Sequence, residues 1–270
     1  MKKRGNSFLY IGGGITAAMV ALILVGFFWT PYNTTEMNAA AKFQAPSLQH
    51  LLGTDNFGRD IFSRVLEGAG TTFLIGICVV VIGCFFGILI GSLCGYYGGI
   101  PDLILTRICD SITAFPAILL GLVIISLIGG GTYNIIIALG ILFIPSFARI
   151  MRSATLAVKG SLYVEVAQSL GCKDSRLLFV HIFPGTIQSL IVNFTMRIGS
   201  AIMAAASLSF LGFGANVSEP EWGAMLSQGR NYIGIASHMV YFPGLIIFIT
   251  VLAFNLFGDG LRDTLDPKIK

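Results

Sequence analysis

The sequence predicts an all-α membrane protein, a polytopic bundle of six transmembrane helices with a helical loop on the cytoplasmic side. Its 270 residues are 55% hydrophobic and 11% charged, and the mean hydropathy is +0.83. Soluble domains are about 25% charged, so one water-soluble core would not bury this much apolar surface. The apolar residues also form runs of about 20, which is the length needed to cross the hydrocarbon core of a bilayer.

The distribution of positive charge along the chain indicates its membrane topology. The net charge is +4 and the sequence pI is about 8.8. The basic residues are spread over loops between apolar runs, and most of them fall on the sides that this topology makes cytoplasmic. A nucleic-acid-binding patch is therefore not indicated. The five cysteines show no Cys-x-x-Cys spacing, so we expect packing roles and neither disulfides nor metal ligation.

The first span is predicted over residues 8–29, after the basic residues Lys2, Lys3 and Arg4. The run is longer than the core of a signal peptide, so we expect a retained anchor with its amino terminus inside. Residues 31–70 then form the most polar external segment. A capped turn at residues 53–60 leads into a short amphipathic helix through Glu67, which we expect to lie at the membrane surface.

The second span is predicted over residues 72–96 and contains four glycines at an interval of four residues. Because this interval places all four near one helix face, another helix is able to approach closely there. Two interpretations stay open: a helix interface that slides or seals during gating, and static close packing. The glycines are Gly83, Gly87, Gly91 and Gly95.

The third span is predicted from about Asp102 to just before Gly129, with a kink at Pro116. Arg107 and Asp110 are three residues apart, so they are expected to pair on one helix face. The fourth span follows at residues 133–157 and returns the chain to the cytoplasm.

Between the fourth and fifth spans, residues 161–184 are amphipathic and basic. Leu162, Val166 and Leu170 recur every four residues and predict a short helix with one apolar face. Gly171 is suited to end this helix in a left-handed cap. We interpret the stretch as a docking element.

A second short helix is predicted over residues 176–183 of this loop, with Asp174 or Ser175 as its N-cap and Pro184 opening the next segment. The basic residues place the loop in the cytoplasm by the positive-inside rule. They are Lys159, Lys173, Arg176 and His181.

The fifth span, residues 187–211, carries Asn193 and Arg197 on one stripe with small residues. Arg197 lies roughly 16 Å into this helix, at 1.5 Å per residue, and so near the middle of the bilayer. A charge at that depth is rare and functional by default. Two interpretations of Arg197 stay open: it lines a translocation path, or it makes a structural bond to a neighbouring carbonyl or to Asp110. The sixth span follows at residues 239–257.

The external loop before the sixth span, residues 213–237, contains Trp222. Tryptophan is enriched at membrane–water interfaces. We therefore expect Trp222 to be an interface anchor.

The docking element at residues 161–184 contains a motif that is similar to one in a known family. Glu165-x-Ala167, then Gly171, then Ile182-x-Pro184 resembles the signature loop of the membrane subunits of binding-protein-dependent ABC importers. Val166 replaces an alanine of that signature, and ten residues separate Gly171 from Ile182, one more than is usual.

Further motifs at residues 52–64, 95–116 and 258–267 are similar to the dipeptide, oligopeptide and nickel branch of these importers. The resemblance covers residues 52–270. Ala205 stands where relatives commonly carry a glutamate.

The resemblance implies a permease subunit that is not an enzyme. Residues 1–71 are then an anchor helix with an external segment, and residues 72–270 a five-helix permease domain. The loop at 161–184 is a coupling helix seated on a cytoplasmic ATPase. The residues implied in this coupling are Glu165, Ala167, Gly171, Lys173, Arg176, Ile182 and Pro184.

The implied partners are a second, related permease subunit, two ATPase subunits and an external solute-binding protein. The chain has no Gly-x-x-x-x-Gly-Lys-Ser/Thr motif, so ATP and Mg²⁺ are expected on the ATPase subunits and no cofactor on this chain. The implied location is the bacterial cytoplasmic membrane, with both termini inside. The sequence leaves the cargo open among dipeptides, oligopeptides, nickel and a metal chelate.

Two other classes of protein fit the sequence less well. A secondary transporter or channel predicts intramembrane acids or inverted repeats, and the chain has neither. An intramembrane hydrolase needs a partnered nucleophile or a metal-binding helix. The histidines lie in separate regions, which argues against it: His50, His181 and His238.

Overall fold

The computed structural model describes residues 2–215 and 218–265, with side chains from residue 8 onward. Every regular element within these ranges is helical, apart from one isolated backbone bridge between Thr54 and Asp60. The α-helices are α1 Lys2–Phe28, α2 Ile61–Tyr97, α3 Gly99–Thr113, α4 Ala117–Ile128, α5 Thr132–Lys159, α6 Leu162–Ser169, α7 Asp174–Arg176, α8 Phe183–Leu208, α9 Trp222–Gly229 and α10 His238–Leu265.

Five helices of the described chain are long and apolar enough to cross a membrane, and α3 with α4 makes a sixth crossing if the pair is one broken span. α3 and α4 are bent by 91° at a short break before Pro116. Proline disfavours helical geometry at the residue before it and has no N–H to donate. The predicted kink is therefore a complete break between two helices.

The predicted short surface helix before the second span is wrong, because α2 runs without interruption from Ile61 to Tyr97. Asp60 caps its first turn by accepting a hydrogen bond from the Ser63 N–H at 2.7 Å. Ile61 and Val65, assigned to a membrane-surface face, are buried in the main core.

The prediction that Trp222 anchors the chain at the membrane interface is also wrong. Its side chain is fully buried, and its indole N–H donates to the Val65 carbonyl at 2.9 Å. The ring meets Phe73 edge-on, and Gly68 of α2 leaves the space in which it lies. Buried tryptophans usually find a partner for the N–H, as this one does. Trp222 therefore holds α9 against the amino-terminal part of α2.

Glu221 begins α9 as a buried cap. Its carboxylate accepts hydrogen bonds from the N–H groups of Gly223 and Ala224, at 2.8 and 2.7 Å. Burial removes the carboxylate from water and raises the pKa of Glu221 above its ordinary value. The cap holds the first turn of α9 in place.

The external segment before α2 is folded onto the same end of the bundle. Arg59 donates to Asp55 at 2.7 Å and to the side chain of Gln228 in α9 at 3.0 Å. The ring of His238, at the start of α10, lies 3.1 Å from the Thr54 carbonyl oxygen. The predicted turn at residues 53–60 thus binds two later helices, which a flexible loop would not do.

Close glycine contacts hold α1 against α10. A Cβ on Gly12 would lie 2.3 Å from the Phe257 nitrogen, and one on Gly260 would lie 2.4 Å from the Leu9 nitrogen. The start of α1 and the end of α10 therefore lie on the same side of the bundle. The last two residues of the predicted carboxyl-terminal motif, Asp266 and Pro267, lie outside the described residues.

Candidate functional site

The docking loop begins with the helix that its periodicity predicts. α6 spans Leu162–Ser169, and Gly171 follows with a φ of 79°. The Gly171 N–H donates to the Gln168 carbonyl at 3.0 Å, and the Cys172 N–H donates to the Ala167 carbonyl at 3.1 Å. This pair of bonds is a Schellman motif, which requires a left-handed residue and so favours glycine at position 171.

The apolar stripe of α6 faces outward. Leu162 is 75% exposed, Val166 50% and Leu170 82%. A row of large apolar side chains left in water at four-residue spacing is characteristic of a helix that docks into a groove of a partner. The described chain has nothing packed over this face.

The opposite side of α6 ties the loop to the membrane helices. Val164 is buried against the end of α2 and the turns that precede α8. Ile182, predicted as a coupling residue, is also fully buried in this cluster and so contributes to the support beneath the exposed face. The cluster comprises Tyr96, Val164, Leu177, Leu178 and Ile182.

The second predicted helix of the loop is not a separate element. α7, a wide helical turn over residues 177–182 and α8 belong to one long helix, Asp174–Phe213. Lys173 occupies the N-cap position and Asp174 is the first helical residue, so the predicted N-cap at Asp174 or Ser175 is wrong. The Asp174 carboxylate accepts a hydrogen bond from the Tyr96 hydroxyl at 2.7 Å. Pro184 lies at the start of α8. The loop is consequently continuous with the fifth span.

Tyr96 connects three elements at this end of the bundle. Besides its bond to Asp174, its carbonyl accepts a hydrogen bond from the Lys159 ammonium at 2.6 Å. The same ammonium lies 5.2 Å from the centre of the Tyr96 ring. Sequence reasoning missed this role, since the partners lie 63 and 78 residues away and no local spacing relates them.

The remaining predicted coupling residues differ in exposure. Ala167 is half-buried, whereas the charged groups and the turn glycine face solvent. The exposed set is Glu165, Gly171, Lys173 and Arg176.

A second feature, which we call the polar cleft, lies between α5 and α8. Its volume is about 530 Å³, and it brings together Asn193 and Arg197, as their shared stripe predicts. The full lining is Ser146, Arg149, Ile150, Ser153, Ala154, Ser189, Asn193 and Arg197.

Asp110 does not line the polar cleft. Its carboxylate pairs with Arg149 at 3.4 Å, and Arg149 also donates to the Thr113 hydroxyl at 3.2 Å. The expected pair of Asp110 with Arg107 is therefore wrong, and of the alternatives left open for Arg197 the bond to Asp110 is not the one that the structure shows. Arg149 reaches the acid from the neighbouring helix, α5, whereas the described part of the chain provides Arg197 with no hydrogen bond or ion pair.

The four glycines of α2 all face α5. A Cβ on Gly83 would lie 2.7 Å from the Phe143 Cβ, and one on Gly87 would lie 2.4 Å from the Phe147 Cβ. Gly91 and Gly95 make similar approaches further along the same helix. The absence of side chains lets the two backbones pack at a distance that alanine would prevent.

An ion pair holds α3 against α5. Arg152 donates to both carboxylate oxygens of Asp102, at 2.6 Å each. Two parallel bonds from the planar guanidinium fix orientation as well as distance. Sequence reasoning missed this pair, because its members are 50 residues apart on different helices.

These features are those of a multi-helix membrane protein with an exposed helical loop between two of its spans. The family model of the binding-protein-dependent transport system inner membrane component matches residues 87–270. The chain belongs to this family. It is a multi-pass permease subunit of a bacterial ABC importer.

Two curated relatives are similar over most of their length. The glutathione transport system permease protein GsiD of Pectobacterium atrosepticum is 47% identical over 262 residues, which cover 95% of this chain and 87% of the relative. The protein of the same name from Escherichia coli O157:H7 is 50% identical over 262 residues, covering 95% and 86%.

Solved structures share the fold. An inward-facing structure of the MetNI methionine ABC transporter matches with a TM-score of 0.62 at 18% identity, covering 75% of this chain and 96% of that chain. An amino acid ABC transporter with histidines matches with a TM-score of 0.54, also at 18% identity. At this identity the likeness concerns the fold alone.

Proposed function

We propose that this chain is a permease subunit of an ATP-driven importer for short peptides of the glutathione type. The assignment of the cargo rests on the identity of 47–50% to glutathione permeases over 95% of the chain. A peptide cargo also agrees with the motifs of the dipeptide and oligopeptide branch. Family membership disfavours a secondary transporter or a channel that works without ATP.

Coupling to ATP hydrolysis is proposed to pass through residues 161–184. The exposed stripe of α6 is the docking surface for a cytoplasmic ATPase subunit, and Glu165 lies beside it. Movement of α6 is carried into the spans through the buried cluster around Tyr96, because Tyr96 belongs to α2 and Asp174 begins the helix that contains α8. Binding and hydrolysis of ATP then shift the bundle between inward-open and outward-open states.

The proposed assembly has five components. This chain and a second, related permease subunit form the translocation path, two ATPase subunits hold ATP and Mg²⁺, and a solute-binding protein delivers cargo from outside. We place both termini and the docking loop in the cytoplasm, because twelve of the 17 lysines and arginines then lie at or near that side.

The test of the cargo is uptake by a bacterial strain that lacks its own glutathione importers and expresses the complete system. Radiolabelled glutathione is expected to accumulate only when this chain is present and ATP is available. Radioactive nickel serves as the second cargo. Nickel accumulation without glutathione accumulation would refute the peptide assignment and favour the nickel alternative.

A further inference from the structure

The polar cleft contains charge without compensation. Arg149 and Arg197 both line it, and no acidic side chain does. Asp110 pairs with Arg149 outside the cleft, but the described part of the chain offers no acid to Arg197. An uncompensated charge in an apolar span is costly, and such residues mark substrate or ion pathways.

The position of Arg197 suits a path more than a membrane edge. Counted from Pro184, where the docking loop ends, it lies about 20 Å along the roughly 44 Å of helix that remain to Phe213, at 1.5 Å per residue. Its side chain is half-buried, with the guanidinium beside open space. The charge is therefore held near the middle of the span with room for a ligand.

The other groups in the polar cleft supply hydrogen bonds of both kinds. Ser189, Asn193 and Arg197 repeat every four residues and form one face of α8. The amide nitrogen of Asn193 donates to the Ser189 carbonyl at 2.8 Å, which leaves its amide oxygen free to accept. On α5, the hydroxyls of Ser146 and Ser153 also line the space.

From this arrangement we propose that the polar cleft is a binding site for the carboxylate of an anionic peptide during its passage, with Arg197 as the carboxylate ligand. A guanidinium matches a carboxylate with two parallel hydrogen bonds. The oxygen of Asn193 is the acceptor for an N–H of the same peptide. A volume of about 530 Å³ lies within the range of about 300–1,000 Å³ that is usual for small-ligand sites.

The site continues toward the end of α10. A neighbouring cleft of about 370 Å³ shares Ser189 and Asn193 with the polar cleft and adds Arg262. A carboxylate that leaves Arg197 therefore meets another cation along the same face of α8. Successive weak sites are what conduction requires, because one tight site would retain the peptide.

This inference rests on the proposed function, since it assigns a site to a peptide cargo. The test uses the whole importer in proteoliposomes, with its binding protein outside and radiolabelled S-methylglutathione as cargo. Arg197→Gln is expected to lower uptake at least tenfold, while ATP hydrolysis stimulated by the loaded binding protein stays within about twofold. Arg197→Lys keeps the charge without the planar fork, and intermediate uptake is expected.

The matched control is Arg230→Gln. Arg230 is an exposed arginine at the external end of the bundle, 3.3 Å from the Phe210 carbonyl oxygen, and it lies outside both clefts. Its substitution should leave uptake unchanged. Wild-type uptake of S-methylglutathione with equal uptake by Arg197→Gln would overturn the carboxylate site alone. A wild-type importer that takes up neither glutathione nor S-methylglutathione would refute the cargo, and the inference with it.

A second measurement decides the case if Arg197→Gln does not assemble. Ser189→Cys leaves Arg197 in place, and its thiol is labelled with a maleimide in the assembled importer. S-methylglutathione should slow labelling at this position, whereas its dimethyl ester, which has no free carboxylate, should not. Equal protection by both compounds would overturn the proposal. So would a thiol that the reagent does not reach, because the cleft would then be covered by the second permease subunit.

Discussion

Replacing Gly87 by alanine should separate α2 from α5. The added Cβ would lie 2.4 Å from the Phe147 Cβ and 2.9 Å from the Ala148 nitrogen. Ordinary contact begins at 3.4 Å, so the helices must move apart by about 1 Å at this point. Neither neighbour is the end of a flexible side chain that could turn away.

The magnitude follows from that displacement. Overpacking a close interface costs about 1–3 kcal/mol, and a gap of about 1 Å forfeits up to half of each dispersion contact nearby. Gly83 and Gly91 face α5 on either side and would lose such contacts. Alanine gains about 1 kcal/mol in helix propensity, so a net loss of about 2 kcal/mol is expected.

The control is Gly70→Ala on the same helix, where an added Cβ meets nothing within 4 Å. It should gain stability from propensity alone. Thermal unfolding in detergent is expected to show Gly87→Ala melting about 4–8 °C below wild type, at about 2–4 °C per kcal/mol, and Gly70→Ala at or above wild type. Equal melting temperatures for the two variants would refute the reasoning.

Three further predictions concern the loop, the topology and the buried cap. Gly171→Pro and Glu165→Lys should each abolish uptake while all spans still insert, since one removes the left-handed turn and the other reverses a charge on the proposed docking face. A cysteine placed in residues 161–181 should react only with reagents that reach the cytoplasm, and one in 36–50 only with external reagents. For Glu221→Gln, we compare the free energy of unfolding of the variant with that of wild type at two pH values. The difference should favour the variant more at pH 7 than at pH 4.

The sign of the Glu221 effect comes from its raised pKa. Below its ordinary value of 4.5 the group is protonated both folded and unfolded, so its shift has no effect on stability. As the pH rises above that value, the unfolded chain ionises first and the wild type loses stability until the raised pKa is passed. A glutamine avoids that loss, and a difference from wild type that does not change with pH would contradict this account.

Controls separate the other two outcomes from general damage. Glu36→Lys reverses the charge of an exposed acid in the segment before α2, far from α6 in sequence, and should leave uptake intact. Full uptake by the Glu165 or Gly171 variant would remove the coupling assignment. Labelling of the 161–181 cysteine from outside would invert the topology.

Local patterns were enough to predict several features. The spans follow from hydropathy, because chain length and side-chain transfer energy decide them without reference to a partner. The end of α6 follows from Gly171, since the Schellman bonds join residues at most five apart. The four glycines of α2 are visible at fixed spacing, although the sequence does not identify α5 as the helix they face.

The wrong predictions concern features that depend on contacts between residues far apart in the sequence. Ile61 and Val65 make an apolar face that suits a membrane surface as well as a buried helix. Trp222, about 157 residues later, packs on that face and hydrogen-bonds Val65, so the helix is buried and continuous. The same contact explains why Trp222 is not at the interface, because its N–H finds a partner inside the protein.

The charge of Arg197 shows how a partner is missed and what its absence implies. Sequence reasoning recognised an arginine in mid-span and Asp110 as a possible counterion, but helix spacing does not rank partners that lie on other helices. In the structure Arg149 takes the acid at 3.4 Å, so two arginines approach the polar cleft and only one is compensated. The remaining charge has no counterion among the described residues, so its partial desolvation is not offset within the described part of the chain. In the proposed site a bound peptide carboxylate offsets that cost, and Arg262 of the neighbouring cleft offers the carboxylate a second cation, so that Arg197 alone does not retain the cargo.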